Sequence, residues 1–405
     1  MAAIVLYFHV HQPFRIKNYP LFSIGEDTGY FSSKEDRLNN KKILNKVASK
    51  CYLPFNAVLL DLLHKHKELK ISFSISGVIL DQFEAFDSAI LDSFKRLVDT
   101  GRVELVNETY YHSLSFLFSK PEFIRQIKKH QKRIKDIFGY DTKSFRNTEL
   151  IYNNEIAEIV DKLGFGTILA EGVERNLGWR SPNFVYQPPH KGKIRLLLKN
   201  YKLSDDIAFR FSNRDWSEWP LTTEKYANWI SAVNGNGHVV NLFMDYETFG
   251  EHQWEDSGIF NFMRHLPTEL LKHPDNTFMT VSEAAHAFPI SDVVNIPDLT
   301  SWADMERDLS AWRSNSMQET ALQTLYSMEK DIFASSDDSL IEDWRKLTTS
   351  DHFYYMCTKW FSDGDVHKYF SPNTTPHEAY VNYMNVLHDM RLRVYSNKER
   401  RSVHV

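Results

Sequence analysis

The sequence predicts an α/β fold in which a barrel of parallel strands is followed by an α-helical C-terminal domain. Short apolar stretches alternate with helical patterns up to about residue 290, which is typical of βα repeats around a parallel sheet. Residues 239–244 form a nearly continuous apolar run, as expected of a strand that is covered on both faces. Beyond about residue 290, charged helical patterns continue and strand signals are absent.

Length, charge and cysteine content narrow the class of protein. A chain of 405 residues can bury a large core and form more than one domain. Its formal net charge of −5 gives no basic surface for nucleic acid or an anionic membrane, so we expect neither partner. The two cysteines, Cys51 and Cys357, lie far apart, which argues against a disulfide framework or a cysteine-rich zinc site.

No segment favours membrane insertion or export. No stretch approaches the ~18 consecutive apolar residues of a membrane-spanning helix. The apolar start of the chain lacks a basic leader and is interrupted by histidines, so it indicates a first strand and not a signal peptide. We therefore expect a cytoplasmic protein, and its oligomeric state is left open.

The predicted strands and helices follow one another in regular order. Strands are expected at residues 4–8, 71–76, 103–106, 143–147, 167–170, 194–198, 207–211, 239–244 and 278–281. Helices are expected at residues 43–62, with a break near Pro54, and at 79–99, 121–138, 155–163, 224–233 and 257–272. Asn154 is the predicted N-cap of the helix that begins at residue 155.

The apolar run at residues 239–244 ends in two carboxylates. Asp245 follows its last residue, and Glu247 can point the same way while the backbone stays extended. Gly250 lets the chain turn, and Phe249 is one of the aromatic residues near the acids. Because α/β barrels place their catalytic groups at this end of the strands, we expect both carboxylates near an active site. A structural alternative is that Asp245 only caps a loop or a helix.

Polar residues also follow several other predicted strands. They are His9, His11, His112, Glu149 and Glu171. In a closed barrel, strand ends that are distant in sequence meet on one face, so these side chains should converge with Asp245. Paired carboxylates with neutral histidines and aromatic walls suit glycoside cleavage, in which one acid attacks and the other donates a proton. Two acids in one pocket also tend to separate in pKa, which permits the two roles.

Some of these residues also have structural interpretations. His9 and His11 could be hydrogen-bonded core histidines, since histidine is often partly buried. Glu171 could be an ion-pair partner, and Glu104 lies inside its strand, where a structural role is expected. We therefore leave both of these glutamates out of the predicted catalytic set.

Five segments, in order along the chain, resemble the motifs of glycoside hydrolase family 57. They are HQP at residues 11–13, VELVNETYYHSL at 103–114, NTEL at 147–150, MDYETFG at 244–250 and SWADME at 301–306. The ERDLSAW run at residues 306–312 resembles the α-amylase-like branch of that family. The third segment departs from the family pattern, because Arg146, Asn147 and Thr148 precede its glutamate.

This resemblance implies a (β/α)7 barrel, an incomplete TIM-like barrel, in residues 1–290, and a helical domain in residues 291–405 that contributes to the cleft. It implies a retaining hydrolase of α-1,4-glucans such as starch, glycogen or maltooligosaccharides, with Glu149 as nucleophile and Asp245 as general acid/base. It implies no metal and no other cofactor. The residues expected to bind the glucan are His9, His11, His112, Glu247, Phe249 and Trp302.

Three alternatives to an α-amylase-like hydrolase stay open. A 4-α-glucanotransferase or branching enzyme of the same family would use the same carboxylates, with a sugar hydroxyl as the acceptor in place of water. A zinc-dependent barrel hydrolase could use His9, His11 and Asp245 as metal ligands. A glucan-binding protein without activity is disfavoured, because both Glu149 and Asp245 are intact.

Overall fold

The computed structural model of the protein describes residues 2–31, 39–359 and 371–402. The strands in these ranges are β1 (Ala2–Val10), β2 (Ile71–Ile75), β3 (Val103–Leu105), β4 (Ser144–Arg146), β5 (Thr167–Glu171), β6 (Tyr186–Gln187), β7 (Arg195–Lys199), β8 (Val239–Asp245), β9 (Asn276–Phe278) and β10 (Asp292–Val293).

The helices alternate with these strands and then continue alone. Those before β10 are α1 (Asn40–Val47), α2 (Leu53–Lys65), α3 (Gly77–Phe86), α4 (Ser88–Val98), α5 (Lys120–Phe138), α6 (Asn154–Lys162), α7 (Glu174–Leu177), α8 (Tyr201–Ala208), α9 (Thr223–Ser231), α10 (Ile259–Leu270) and α11 (Val281–Ala287). Those after it are α12 (Ser310–Arg313), α13 (Ser316–Ser327), α14 (Glu329–Ala334), α15 (Asp338–Leu347), α16 (Ser350–Tyr354) and α17 (Pro376–Ser402).

Seven of the strands form the wall of a barrel. One sheet has the order β3-β2-β1-β8 and the other contains β7-β5-β4, with parallel pairing throughout these strands. The sheets meet after β3, where the N–H of Asn107 donates to the Ser144 carbonyl and the N–H of Arg146 donates to the Asn107 carbonyl, both at 2.9 Å. They meet again where the N–H of Asn200 donates to the Asn241 carbonyl at 2.9 Å.

The barrel wall therefore runs β1-β2-β3-β4-β5-β7-β8 and back to β1, which confirms the predicted (β/α)7 barrel. β1 is buried along its whole length, because it pairs with β2 on one side and β8 on the other. Its alternate residues contact two different apolar clusters. Phe8 packs with residues of the outer helices α2 and α10, whereas Tyr7 packs inside the barrel with residues of β5 and β7.

The C-terminal helices pack against the β4, β5 and β7 part of the barrel. Phe145 of β4 and Ile168 of β5 share one apolar cluster with Trp312 and Trp344, whose side chains are completely buried. The two-residue strand β10 pairs with β6, so a short strand does occur beyond residue 290, contrary to our expectation. The domain boundary between residues 290 and 291 stays a prediction.

None of the helices in the described ranges is long and apolar enough to cross a lipid bilayer. The predicted location in the cytoplasm is not tested by this observation and stays a prediction.

The predicted strand at residues 207–211 is wrong. Residues up to Ala208 belong to α8, because Asn200 caps this helix by accepting a hydrogen bond from the N–H of Leu203 at 3.1 Å. A side chain that satisfies the free N–H groups of a first turn can start a helix even where the next residues are apolar enough for a strand.

Capping residues also explain several other differences from the predicted elements. The helix expected at residues 79–99 is divided into α3 and α4, because Asp87 caps the second helix by accepting from the N–H of Ala89 at 3.0 Å. The N-cap of α6 is Asn153 and not the predicted Asn154. The last barrel-side strand, β9, is shorter than expected, because Thr280 caps α11.

Candidate active site

Most of the predicted site residues line one cavity at the carboxyl end of the barrel strands. The lining includes six of the eight residues predicted for catalysis or glucan binding, namely His9, His11, His112, Glu149, Asp245 and Glu247. The ends of β1 and β8 and the segments that follow β1, β3, β4 and β8 supply them, so the expected convergence of strand ends is observed.

The predicted nucleophile, Glu149, lies in a single 3-10 turn directly after β4. Its backbone has φ 54° and ψ 27°, and Leu150 beside it has φ 49°. Non-glycine residues seldom adopt this left-handed conformation, and those that do are concentrated at functional sites. The backbone N–H of Trp302 donates to the backbone carbonyl of Glu149 at 3.2 Å. This hydrogen bond connects the turn to the loop before α12.

Three donors surround the Glu149 carboxylate, whose side chain is 5% exposed. His112 Nε2 lies 3.2 Å and Ser350 Oγ lies 3.1 Å from Oε1. The Trp302 indole N–H donates to Oε2 at 2.9 Å. Such bonds are strongest to an ionised acceptor, which is the form of a carboxylate that can attack an electrophilic carbon.

Trp302 thus contacts the predicted nucleophile directly, in addition to forming part of the cleft wall. We expect Trp302→Phe to lower kcat about 10- to 100-fold, because the variant keeps an apolar ring but loses a hydrogen bond to a charged group. KM should change much less. Steady-state kinetics on maltooligosaccharides measure both constants. The exposed Trp254 offers a control, Trp254→Phe, that should match the wild type. A rise in KM alone would mean that Trp302 is only a platform for the sugar.

The predicted general acid/base, Asp245, ends β8 and has a side chain that is 37% exposed. Its Oδ1 lies 3.3 Å from Nδ1 of His9. Burial in the cleft raises the pKa of Asp245, but the hydrogen bond from His9 and the electrostatic effects of His9 and His252 together outweigh burial and hold this pKa below its usual range. The carboxylate borders both the first cavity and a second one, so it lies at the junction of the two.

Glu247 is the second carboxyl after β8, and it is almost completely buried. The phenol of Tyr52 donates a hydrogen bond to its Oε1. Burial and the negative charge of Asp245 raise the pKa of Glu247 to about 8. The two acids after this strand therefore separate in pKa, as expected of acids in one pocket, and Glu247 is the protonated one at neutral pH.

This raised pKa makes stability depend on pH. Glu247 has a pKa of about 8 in the folded protein against 4.5 ordinarily, so the folded state holds the extra proton between these values. Stability is therefore lost as pH rises from 4.5 to 8, by up to about 1.4 kcal/mol per pH unit. We expect Glu247→Gln to remove this pH-dependent contribution to the free energy of unfolding. Urea unfolding of both proteins at pH 5 to 8 measures it, with the exposed Glu224→Gln as control. Parallel curves for wild type and Glu247→Gln would contradict the assignment.

The histidines of the cavity differ in charge, contrary to the expectation that all are neutral. Burial and the neighbouring His112 lower the pKa of His11 to about 4, and His11 contacts Ser76 Oγ at 2.7 Å and Asp351 Oδ2 at 3.1 Å. His112 is also buried, but hydrogen bonds to two glutamates raise its pKa to about 9. At neutral pH His11 is therefore neutral, whereas His112 is an imidazolium.

Phe249 is not part of the cleft, and its prediction as a glucan-binding residue is wrong. Its side chain is completely buried and stacks on Phe55 of α2, with ring centroids 4.3 Å apart. The 3-10 turn Tyr246–Thr248 reverses the chain after β8 and directs Phe249 into the core between barrel and helices.

Glu171 belongs to an ion-pair network, as its structural interpretation proposed. Its Oε2 lies 3.2 Å from Arg307 Nη1 and 3.6 Å from Lys199 Nζ. Arg307 also donates to the carbonyl of Trp302 at 2.9 Å. The network therefore fixes the loop that carries the indole in contact with Glu149.

Several residues of the site were missed in the sequence. Ser350 and Asp351 come from the start of α16, about 200 residues after Glu149, and no local pattern marks them. Glu108 and Arg146 are completely buried behind the cavity. Glu108 lies in the second motif segment just after β3, and Arg146 is the last residue of β4, directly before the third segment. Neither was among the predicted site residues.

The structure groups possible metal ligands differently from the zinc alternative, which stays untested. Within the described part of the chain, groups whose possible ligand atoms all lie within 4.8 Å of one another are His9–Glu108–His112 and His11–His112–Asp351. The hypothesised set of His9, His11 and Asp245 is not among them.

Two carboxylates at the strand ends of a (β/α)7 barrel are the groups that glycoside hydrolysis requires. Residues 5–297 match the sequence profile of Glycosyl hydrolase family 57. The chain belongs to this family. It is 46% identical over 394 residues to a putative alpha-amylase of Methanocaldococcus jannaschii, in an alignment that covers 94% of this chain and 82% of the relative.

Solved structures of family members share the fold. A branching enzyme of Pyrococcus horikoshii superimposes with a TM-score of 0.66 at 14% identity, covering 88% of this chain and 85% of that one. A 4-alpha-glucanotransferase of Thermococcus litoralis superimposes with a TM-score of 0.59 at 18% identity, covering 87% of this chain and 50% of that one. At these identities the comparison shows a common fold and no more.

Proposed function

We propose that the protein is a retaining, α-amylase-type hydrolase of α-1,4-glucans. The observation that carries this proposal is that Glu149 and Asp245 line one cavity in different environments. Three hydrogen-bond donors surround the carboxylate of Glu149, whereas the side chain of Asp245 is partly exposed. The extensive similarity to a relative named putative alpha-amylase supports the substrate class.

The proposed reaction has two steps. The Glu149 carboxylate attacks the anomeric carbon while Asp245 gives its proton to the departing glycosidic oxygen, which leaves a glycosyl ester on Glu149. Asp245 then takes a proton from water, and that water attacks the anomeric carbon and releases the carboxylate. Two inversions give net retention. For a covalent intermediate, the two carboxyl groups should lie ~5–5.5 Å apart in a substrate-bound structure.

Asp245 must carry a proton when the glycosidic bond breaks, although His9 lowers its pKa in the free protein. A sugar in the cleft would cover the exposed 37% of its side chain and remove the water that stabilises its charge. Such desolvation favours the protonated acid. We therefore assign the proton to Asp245 in the substrate complex, and a neighbouring structural role to Glu247.

The cleft suits an oligosaccharide better than a single sugar. The first and second cavities share Asp245 and His252, so they join at the predicted acid/base. The second shares Asp205, Phe209 and Arg307 with a third cavity. These adjacent cavities would let a glucan chain extend past the carboxylates on one side.

Incubation with maltooligosaccharides of single length tests the function. We expect shorter products whose new reducing ends are α-anomers, which proton NMR detects before mutarotation. A first-formed β-anomer would rule out retention. Products longer than the substrate would instead identify a glucanotransferase, and absence of turnover would refute the hydrolase. Since carboxylate pairs need no Lewis acid, a chelator should leave the rate unchanged.

A further inference from the structure

One buried carboxylate connects the two catalytic acids. Glu108 Oε2 lies 3.2 Å from His112 Nδ1 and 3.4 Å from His9 Nε2. The other nitrogen of each ring faces a catalytic acid, His112 Nε2 at 3.2 Å from Glu149 and His9 Nδ1 at 3.3 Å from Asp245. A single oxygen of Glu108 is therefore the midpoint of a chain of contacts from nucleophile to acid/base.

The surroundings of Glu108 stabilise the negative charge of its buried carboxylate. Arg146 Nη1 of β4 lies 3.7 Å from its Oε2. His130 of α5 contacts only the backbone of this residue, because the Glu108 backbone N–H donates to His130 Nδ1 at 3.3 Å. Tyr7 of β1 is also nearby, and burial raises its pKa, so it stays neutral. Burial raises the pKa of Glu108, but the two site histidines and Arg146 outweigh it and hold this pKa well below its usual range.

The two imidazole rings have little freedom while this oxygen is in place. Their centroids are 4.7 Å apart in a stacked arrangement, and each ring spans the distance from Glu108 to one catalytic acid. A hydrogen bond at one ring nitrogen fixes what the other nitrogen can do. Arg146 Nη1 also lies 3.3 Å from His9 Nε2 and 3.4 Å from His112 Nδ1, so the Glu108 carboxylate orients both rings together with this guanidinium.

We propose that Glu108 is a positioning residue that directs His112 onto the nucleophile and His9 onto the general acid/base. The proposal rests on the function proposed above, since it needs Glu149 and Asp245 as the reacting groups. Glu108 is completely buried and acts through the two histidines.

The test replaces Glu108 by Gln, which keeps the shape and removes the charge. We expect kcat on maltoheptaose to fall about 10- to 100-fold with a much smaller change in KM. The acidic limb of the kcat/KM profile should move to higher pH, because Glu149 loses a charged donor. Nitrogen-15 NMR of the imidazoles should show His112 titrating below its pKa of about 9. Glu108→Asp, which restores the charge, should recover part of the shift.

The matched control is Glu104→Gln, another buried glutamate four residues earlier. It accepts hydrogen bonds from Ser144 Oγ at 2.5 Å and from the N–H of Ser282 at 2.7 Å, away from the catalytic acids. We expect this variant to lose stability without a change in the pH profile or histidine signals. A Glu108→Gln protein with wild-type histidine titration and pH profile would overturn the proposal. A wild type without glucan turnover would refute the proposed function instead, and the histidine titration would still decide this inference.

Discussion

Glu149→Gln is expected to lower kcat on maltooligosaccharides by about 10³-fold or more, within the range for loss of an essential nucleophile. A carboxamide has the shape of the carboxylate but cannot attack the anomeric carbon. Thermal melting and near-ultraviolet circular dichroism should show that the variant is folded, and initial rates measure the loss.

A small anion can distinguish loss of the nucleophile from general damage. In Glu149→Ala, azide should enter the vacated space and attack the anomeric carbon directly. This single displacement gives a β-glycosyl azide from an α-linked substrate. The Glu104→Gln control should form no azide adduct. An α-glycosyl azide from Glu149→Ala, or near-wild-type rates in Glu149→Gln, would refute the assignment.

Asp245→Asn is expected to lower the rate on unactivated glucans by about 10²- to 10⁴-fold, the usual contribution of a general acid or base. An aryl maltoside with an acidic phenol should lose much less in the first step, because its leaving group needs no proton. Azide should here attack the glycosyl ester and give an α-glycosyl azide. Comparison of both substrates by burst kinetics separates the two steps.

The matched variant for this prediction is Glu247→Gln. Glu247 is the carboxyl with a pKa of about 8, so it is the competing candidate for proton donor. We expect Glu247→Gln to retain most activity on both substrates, since its side chain is buried against Tyr52. If Glu247→Gln lost activity selectively on unactivated glucans and Asp245→Asn did not, the two roles would have to be exchanged.

The strand ends could be predicted because their signal is local. An apolar run followed by a polar residue marks His9 and Asp245, and a short predicted strand with a family motif marks Glu149; the barrel brings these ends together. Asp351 has no such signal, because it reaches the cavity from a helix of the C-terminal part. Phe249 was misassigned since spacing alone does not reveal how the turn after β8 rotates the chain.

The fold could be predicted to a similar extent, and the predictions of secondary structure that were wrong have a related cause. Hydrophobic periodicity extends over many residues and located the barrel strands, whereas a helix start depends on one side chain. Asn200 and Asp87 each accept a hydrogen bond from a free N–H group, and these single contacts decide where α8 and α4 begin. Charge was hardest to predict, because the protonation of His112 depends on two glutamates at other positions.

The carboxylate of Glu149 receives hydrogen bonds from Trp302 and Ser350, which both lie beyond residue 290. The reactive group thus belongs to the barrel while two of its partners belong to the C-terminal part. The affinity for glucan is therefore thermodynamically coupled to the association between the barrel and the C-terminal part. A glucan that contacts both strengthens their association by the same free energy with which that association improves glucan binding. The enzyme should accordingly resist heat and proteolysis best while it is saturated with its own substrate.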